Sequence, residues 1–136
     1  KFNLPSGSLK PGFIIEDGDI CVTKSVNSGF VGTSLDMDLR SISVSRLVVV
    51  GFFTNMCVET TVRMAGNMGY DTYLVPDGCA TTNRIGIDGS DYDPEVVHAM
   101  TVANLHGEFC TAIKPSEAIA LLHADAGHIN RVQGNE

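Results

Sequence analysis

Leu47-Val48-Val49-Val50-Gly51-Phe52-Phe53-Thr54-Asn55-Met56-Cys57-Val58-Glu59-Thr60-Thr61 is the stretch that decides how this chain folds. Its first four residues are apolar and largely β-branched, as a buried strand requires. From Met56 the spacing changes. Val58, Thr61, Val62 and Ala65 recur at helical intervals as far as Met68, and Gly69 follows as a stop. Cys57 therefore stands where a strand gives way to the first turn of a helix. Unpaired backbone N–H groups and the positive end of the helix dipole favour an anion there. A thiol at that spot is drawn towards the thiolate that a nucleophile needs. A free cysteine also serves as a small buried apolar residue, and position alone leaves both roles open.

Downstream, Gly69-Tyr70 closes the helix and a second strand leads into Asp77-Gly78-Cys79-Ala80. Upstream, Val22-Thr23-Lys24 precedes Ser28-Gly29-Phe30, Gly32-Thr33 and Leu35. This combination resembles the isochorismatase-like cysteine hydrolases, a family that includes nicotinamidases, N-carbamoylsarcosine amidases, and biuret and streptothricin hydrolases. The family's form is an apolar strand, Gly, two residues, Thr-Asn-x-Cys-Val, then Thr-x-Arg-x-Ala. Here Gly51, Thr54, Asn55, Cys57 and Val58 are followed by Thr61, Arg63 and Ala65. The likeness runs from Pro11 to Ile113, and several separated motifs in the right order are more specific than one short pattern.

The resemblance implies a role for each matching residue. Cys57 would attack a carbonyl carbon and form a thioester. Lys24 would aid thiolate formation and stabilise developing charge. A cis peptide is implied at Phe52–Phe53, aiming the N–H of Phe53, beside that of Cys57, at the substrate oxygen as an oxyanion hole. Phe30, Phe52, Asn55 and Thr81 are candidate pocket residues, the phenylalanines as apolar walls. Thr81 opens the irregular loop 81–93, which leaves the carboxyl end of the sheet, where open α/β sheets bind ligands.

Blander roles compete with each of these. A lone lysine at a strand end is usually a solvated charge, and phenylalanines are more often plain core. Asn55 suits a helix N-cap, as does Thr54. Loop 81–93 reads as a surface or oligomer loop, and Arg63 as a surface or interface charge. Cys21, Cys79 and Cys110 stand in apolar runs and read as core.

Strands are expected at Asp19–Lys24, Arg46–Gly51, Thr72–Pro76 and Glu108–Ile113. Helices are expected between them: Ser34–Ser41, Met56–Met68, one capped by Asp93-Pro94 and stopped by Gly107, and one from Ser116 to about Asp125, capped by Ser116, that buries Ile119 and Leu122. Strands alternating with helices give a three-layer α/β/α domain with a central parallel sheet, Rossmann-like, over residues 1–136. The resemblance also implies a catalytic aspartate on a first strand upstream of the lysine block. Upstream of Lys24 the residues read as loop, punctuated by Pro5, Gly7, Pro11 and Gly12, and Asp17 and Asp19 flank Gly18 as turn residues. The expectation is therefore the C-terminal two-thirds of the fold, with its N-terminal strands missing. Either the sequence begins late in a longer protein, or a separate polypeptide, a partner subunit or an exchanging dimer completes the fold. The tail 126–136 is polar and is expected to fray.

Composition adds exclusions. With 43% hydrophobic residues in 136, the chain can build one core. A net charge of −7 speaks against nucleic acid or an anionic membrane as partner. No signal peptide or membrane-spanning run is visible, and the four cysteines suit a reducing, cytoplasmic setting. No cofactor is implied. His98, His106, His123 and His128 lack the i, i+4 spacing of a helical metal site, and the metal of nicotinamidases is held by the family's N-terminal part. Two functions follow. One is a cysteine hydrolase cleaving a C–N amide-type bond of a small molecule, in a homo-oligomer as the resemblance implies. The other is a non-catalytic fragment, pseudoenzyme or partner subunit lacking the aspartate.

Overall fold

The computed structural model describes residue 12 and residues 14–133, with side chains as far as Ala124. The loop expected around Pro5, Gly7 and Pro11 lies outside the described residues. Helix α1 spans Leu35–Ser41 and strand β1 spans Arg46–Phe52. A π-helical turn, Thr54–Val58, leads into α2, Glu59–Asn67, and then β2, Asp71–Ala80. The short strands β3, Arg84–Ile85, and β4, Asp91–Tyr92, precede α3, Pro94–Leu105, β5, Thr111–Ala112, and α4, Pro115–Gln133. The sheet is parallel in the order β1-β2-β5, which with its flanking helices is the expected three-layer α/β/α architecture.

Register places the core. Leu47 and Val49 lie opposite Thr72 and Leu74, so one face of the sheet is apolar. Two clusters pack there. Val58 and Val62 meet Leu74, Leu105 and Cys110, while Ala65, Phe30 and Tyr70 gather Leu35, Leu39 and Leu47. Leu74 and Leu105 are fully buried. Leu74→Ala is expected to cost about 3 kcal/mol, from lost transfer energy and the cavity left behind. Urea denaturation read by circular dichroism measures it.

Local chemistry explains the helix ends. Asp93 caps α3 by accepting from Glu95 N at 2.8 Å, and Pro94 occupies the first helical position. Helix α2 closes on Gly69, at φ +85°, with Gly69 N donating to Gly66 O and Tyr70 N to Ala65 O. That pair of bonds is a Schellman motif. Gly66 serves a different need: a Cβ there would stand 2.6 Å from the backbone oxygen of Phe109.

Several expectations need correction. Residues 19–24 form no strand, because a strand exists only as part of a ladder and no described strand runs beside them. Cys21 is consequently exposed rather than core. The strand expected over 108–113 shrinks to Thr111–Ala112, since Gly107 N turns back to Cys110 O at 2.9 Å and Ala112 N is bonded to His106 Nδ1 at 3.0 Å. Loop 81–93 is not wholly irregular: β3 and β4 pair as an antiparallel hairpin, with Asn83 Nδ2 donating to Asp91 Oδ1.

Helix α4 begins at Pro115, and Glu117 rather than Ser116 serves its start by accepting from Lys114 N at 2.7 Å. It buries Ala118 and half-buries Leu121, leaving Ile119 and Leu122 56% and 52% exposed. The inward side of the helix thus runs through Ala118 and Leu121, three residues apart, and Ile119 and Leu122 fall off it. The helix continues to Gln133, through most of the tail expected to fray. On β1, the edge of the described sheet, Val50 and Phe52 are 56% and 53% exposed.

Candidate active site

The strand-to-helix junction departs from a simple helix start. The carbonyl of Phe53 accepts from both Met56 N at 3.0 Å and Val58 N at 3.2 Å. The second of these, five residues apart, makes the first turn π-helical, a feature often found at functional sites. The peptide between Phe52 and Phe53 is cis, as the resemblance implied. The two N–H groups assigned to an oxyanion hole belong to Phe53, at that bond, and to Cys57, within the same turn.

Side chains brace the turn from three directions. Thr54 is fully buried and its Oγ1 lies 2.9 Å from His98 Nδ1 on α3. Asn55 Oδ1 accepts from Thr81 Oγ1 at 2.5 Å, just beyond the end of β2. Neither residue caps the helix, because the capping position falls to Phe53, which makes no side-chain cap bond. Thr61 Oγ1 donates to Cys57 O at 2.7 Å and accepts from Gly29 N at 2.9 Å. The lysine-bearing loop is thereby stitched to the cysteine helix.

That stitch brings Lys24 to Cys57. Lys24 Nζ donates to Cys57 Sγ at 3.3 Å and to Val26 O at 3.0 Å. Cys57 Sγ also lies 3.9 Å from Asn27 Oδ1. Two residues far apart in sequence thus meet as the resemblance required. Asp19, by contrast, is occupied by its own turn, where its Oδ2 accepts from Glu16 N at 2.8 Å.

The candidate pocket residues do not all converge. Phe30 is not a pocket wall: it is buried, stacked on Tyr70 with ring centroids 5.8 Å apart. Its backbone N–H donates to Ser28 Oγ and Thr33 Oγ1 donates to Gly29 O, so a rigid turn points the ring into the core. Tyr70 gives its hydroxyl to Asp36 at 2.7 Å. Burial raises the Tyr70 phenol, and the same hydrogen bond lowers the Asp36 carboxyl. Phe52 is half-exposed, and Thr81 lines a cleft of about 200 Å³ together with Cys79 and His98. A second cleft, of about 390 Å³, lies between Ser28, Val31 and α2. Neither is lined by Cys57 or Lys24.

The other thiols are differently placed. Burial pushes Cys110 up to about 11 and raises Cys79, though a backbone hydrogen bond from Gly51 works against the shift at Cys79. Arg63 pairs with Glu59 at 2.8 Å and sits 4.6 Å over the Phe109 ring, as a surface charge would. Among the described residues no three His, Cys, Asp or Glu side chains form a group able to hold a metal ion. No helix among them is long and apolar enough to cross a membrane.

His98, Asn27 and the bracing function of Thr61 are not among the sequence-derived candidates. Only Thr61 carried a local signal, its place in the motif. The partner of Thr54 lies 44 positions away and no spacing rule points to it.

Comparison with known proteins places the chain in a family. The Isochorismatase domain matches residues 4–110. The isochorismatase family protein YrdC of Bacillus subtilis (strain 168) is 38% identical over 103 residues, covering 76% of this chain and 55% of its own. The ureidoacrylate amidohydrolase RutB of Rhizobium rhizogenes (strain K84 / ATCC BAA-868) is 31% identical over 115 residues, covering 76% of this chain and 43% of RutB. A solved isochorismatase-family protein from Chromobacterium violaceum ATCC 12472 superposes with a TM-score of 0.82 at 37% identity, over 91% of this chain and 64% of that one. The chain spans about half the length of the curated relatives it matches. By its domain match, its relatives and the shared fold, the chain belongs to the isochorismatase family.

Proposed function

We propose that this chain carries the nucleophile of an amidohydrolase that cleaves a C–N amide-type bond of a small, non-peptide molecule through a thioester on Cys57. The observation that carries the proposal is the 3.3 Å contact between Lys24 Nζ and Cys57 Sγ, formed across 33 residues of sequence. In the first step the thiolate adds to the carbonyl carbon. The N–H groups of Phe53 and Cys57 stabilise the resulting oxyanion, and each such donor is typically worth about 3–4 kcal/mol. The C–N bond then breaks and the amine leaves with a proton delivered from the Lys24 side. Water adds to the thioester, the C–S bond breaks, and a carboxylic acid leaves with the thiol restored. The general base of the second step is the aspartate that the family resemblance places upstream.

A nucleophilic thiol favours amide cleavage over vinyl-ether cleavage, which requires none. The name of RutB points to ureides and related carbamoyl compounds as the first substrates to test. Assembly as a homo-oligomer belongs to the same proposal. Ammonia release from a panel of small amides and ureides tests it, and saturable release by the parent protein is expected. The alternative, a non-catalytic fragment or partner subunit, draws on one observation: the described hydrogen bonds of the Lys24 and Cys57 side chains go to Val26, Asn27 and each other, with no carboxylate among them. It is supported by an absence of release together with a Cys57 that alkylates no faster than the exposed Cys21.

A further inference from the structure

We infer that His98 is a positioning residue, holding the cysteine-bearing turn in its working geometry through Thr54. This inference rests on the reading of Cys57 as nucleophile. Thr54 opens the π-helical turn that contains Cys57. Its hydroxyl is wholly withdrawn from solvent and meets His98 Nδ1 at 2.9 Å. A buried hydroxyl without a partner is costly, so this bond fixes where the turn begins.

The histidine is itself held firmly. It sits one turn into α3, whose N-terminus is capped by Asp93 and whose far end is anchored by the fully buried Leu105. His98 also lines the cleft that contains Thr81, the partner of Asn55. Two successive residues of the turn, Thr54 and Asn55, are therefore tied to two different elements beyond the sheet's carboxyl edge. The π-helical step needs such ties, because Phe53 O is shared between two donors and a regular α-turn is the competing arrangement. Cys57 faces Lys24 only while that step is kept. The hydrogen bond of His98 is to Thr54, and His98 acts through that residue.

The test is peptide-resolved alkylation with iodoacetamide at neutral pH, which needs no knowledge of the substrate. Cys21, being exposed, is the internal reference, and the buried Cys110 reports general opening. In the parent protein Cys57 is expected to react faster than Cys21. His98→Ala is expected to lower the Cys57-to-Cys21 rate ratio about tenfold, the weight of one hydrogen bond, with Cys110 still slow. His98→Asn, whose amide can take the place of Nδ1, is expected to restore the ratio, and Thr54→Val to repeat the loss. An unchanged ratio in His98→Ala overturns the inference, as does a failure of His98→Asn to restore it. Loss accompanied by rapid reaction of Cys110, or failure of both His98→Ala and Thr54→Val to fold, assigns His98 a purely structural role and overturns it equally. A parent Cys57 no faster than Cys21 sinks the nucleophile itself, whereas a fast Cys57 indifferent to His98 sinks only the positioning role.

Discussion

Cys57→Ala is expected to remove ammonia release almost entirely, a loss of about 10⁴-fold or more in kcat, as deletion of a covalent nucleophile does elsewhere. The fold should survive. Cys57 is only partly buried, and the core cluster beside it is built from Val58, Val62, Leu74 and Leu105. The unfolding midpoint should therefore stay close to that of the parent. Steady-state ammonia release and a thermal melt on the same preparation separate the two properties. Retention of more than a small fraction of the turnover would mean that the sulfur is not the attacking atom.

Lys24→Ala is the second large effect, expected at about 10²- to 10³-fold in kcat with little change in KM. The lysine reaches Cys57 from a loop that Thr61 ties to α2, and its Nζ is oriented by Val26 O as well as by the sulfur. Arginine should restore little, because a planar fork cannot repeat the compact geometry of an ammonium held between a carbonyl and a thiol. A change confined to KM would place Lys24 in substrate binding instead of the chemical steps. The measurement is a full kcat and KM determination for parent, Lys24→Ala and Lys24→Arg on one substrate.

The parts of this fold legible in sequence were those with short-range physical causes. The apolar run at Leu47–Val50, the Asp93-Pro94 helix start and the Gly69 stop each produce the element expected of them. The position of Cys57 at a strand-to-helix junction was equally legible. Its contact with Lys24 followed from family resemblance, since no local pattern links the two residues.

What sequence did not reveal depends on tertiary competition. The π-helical start arises because one carbonyl, that of Phe53, serves two donors, and nothing in the composition of the segment announces it. Asn55 and Thr54 look like caps, yet both spend their side chains on distant partners, Thr81 and His98. Phe30 had the character of a pocket wall and was claimed by Tyr70 instead. On α4 two large residues suggested the buried stripe, but the inward side runs through Ala118 and Leu121 instead. Residues 19–24 have the composition of a strand and lack a ladder among the described residues.

The most direct test of the account is acid-quenched mass spectrometry during turnover of a small ureide or amide, followed by peptide mapping. The prediction is an acyl adduct on the peptide containing Cys57, formed through loss of ammonia or amine, absent from Cys57→Ala and slower to appear in Lys24→Ala. A protein that turns the substrate over with no adduct at Cys57, and that keeps turning it over as Cys57→Ala, would contradict the account.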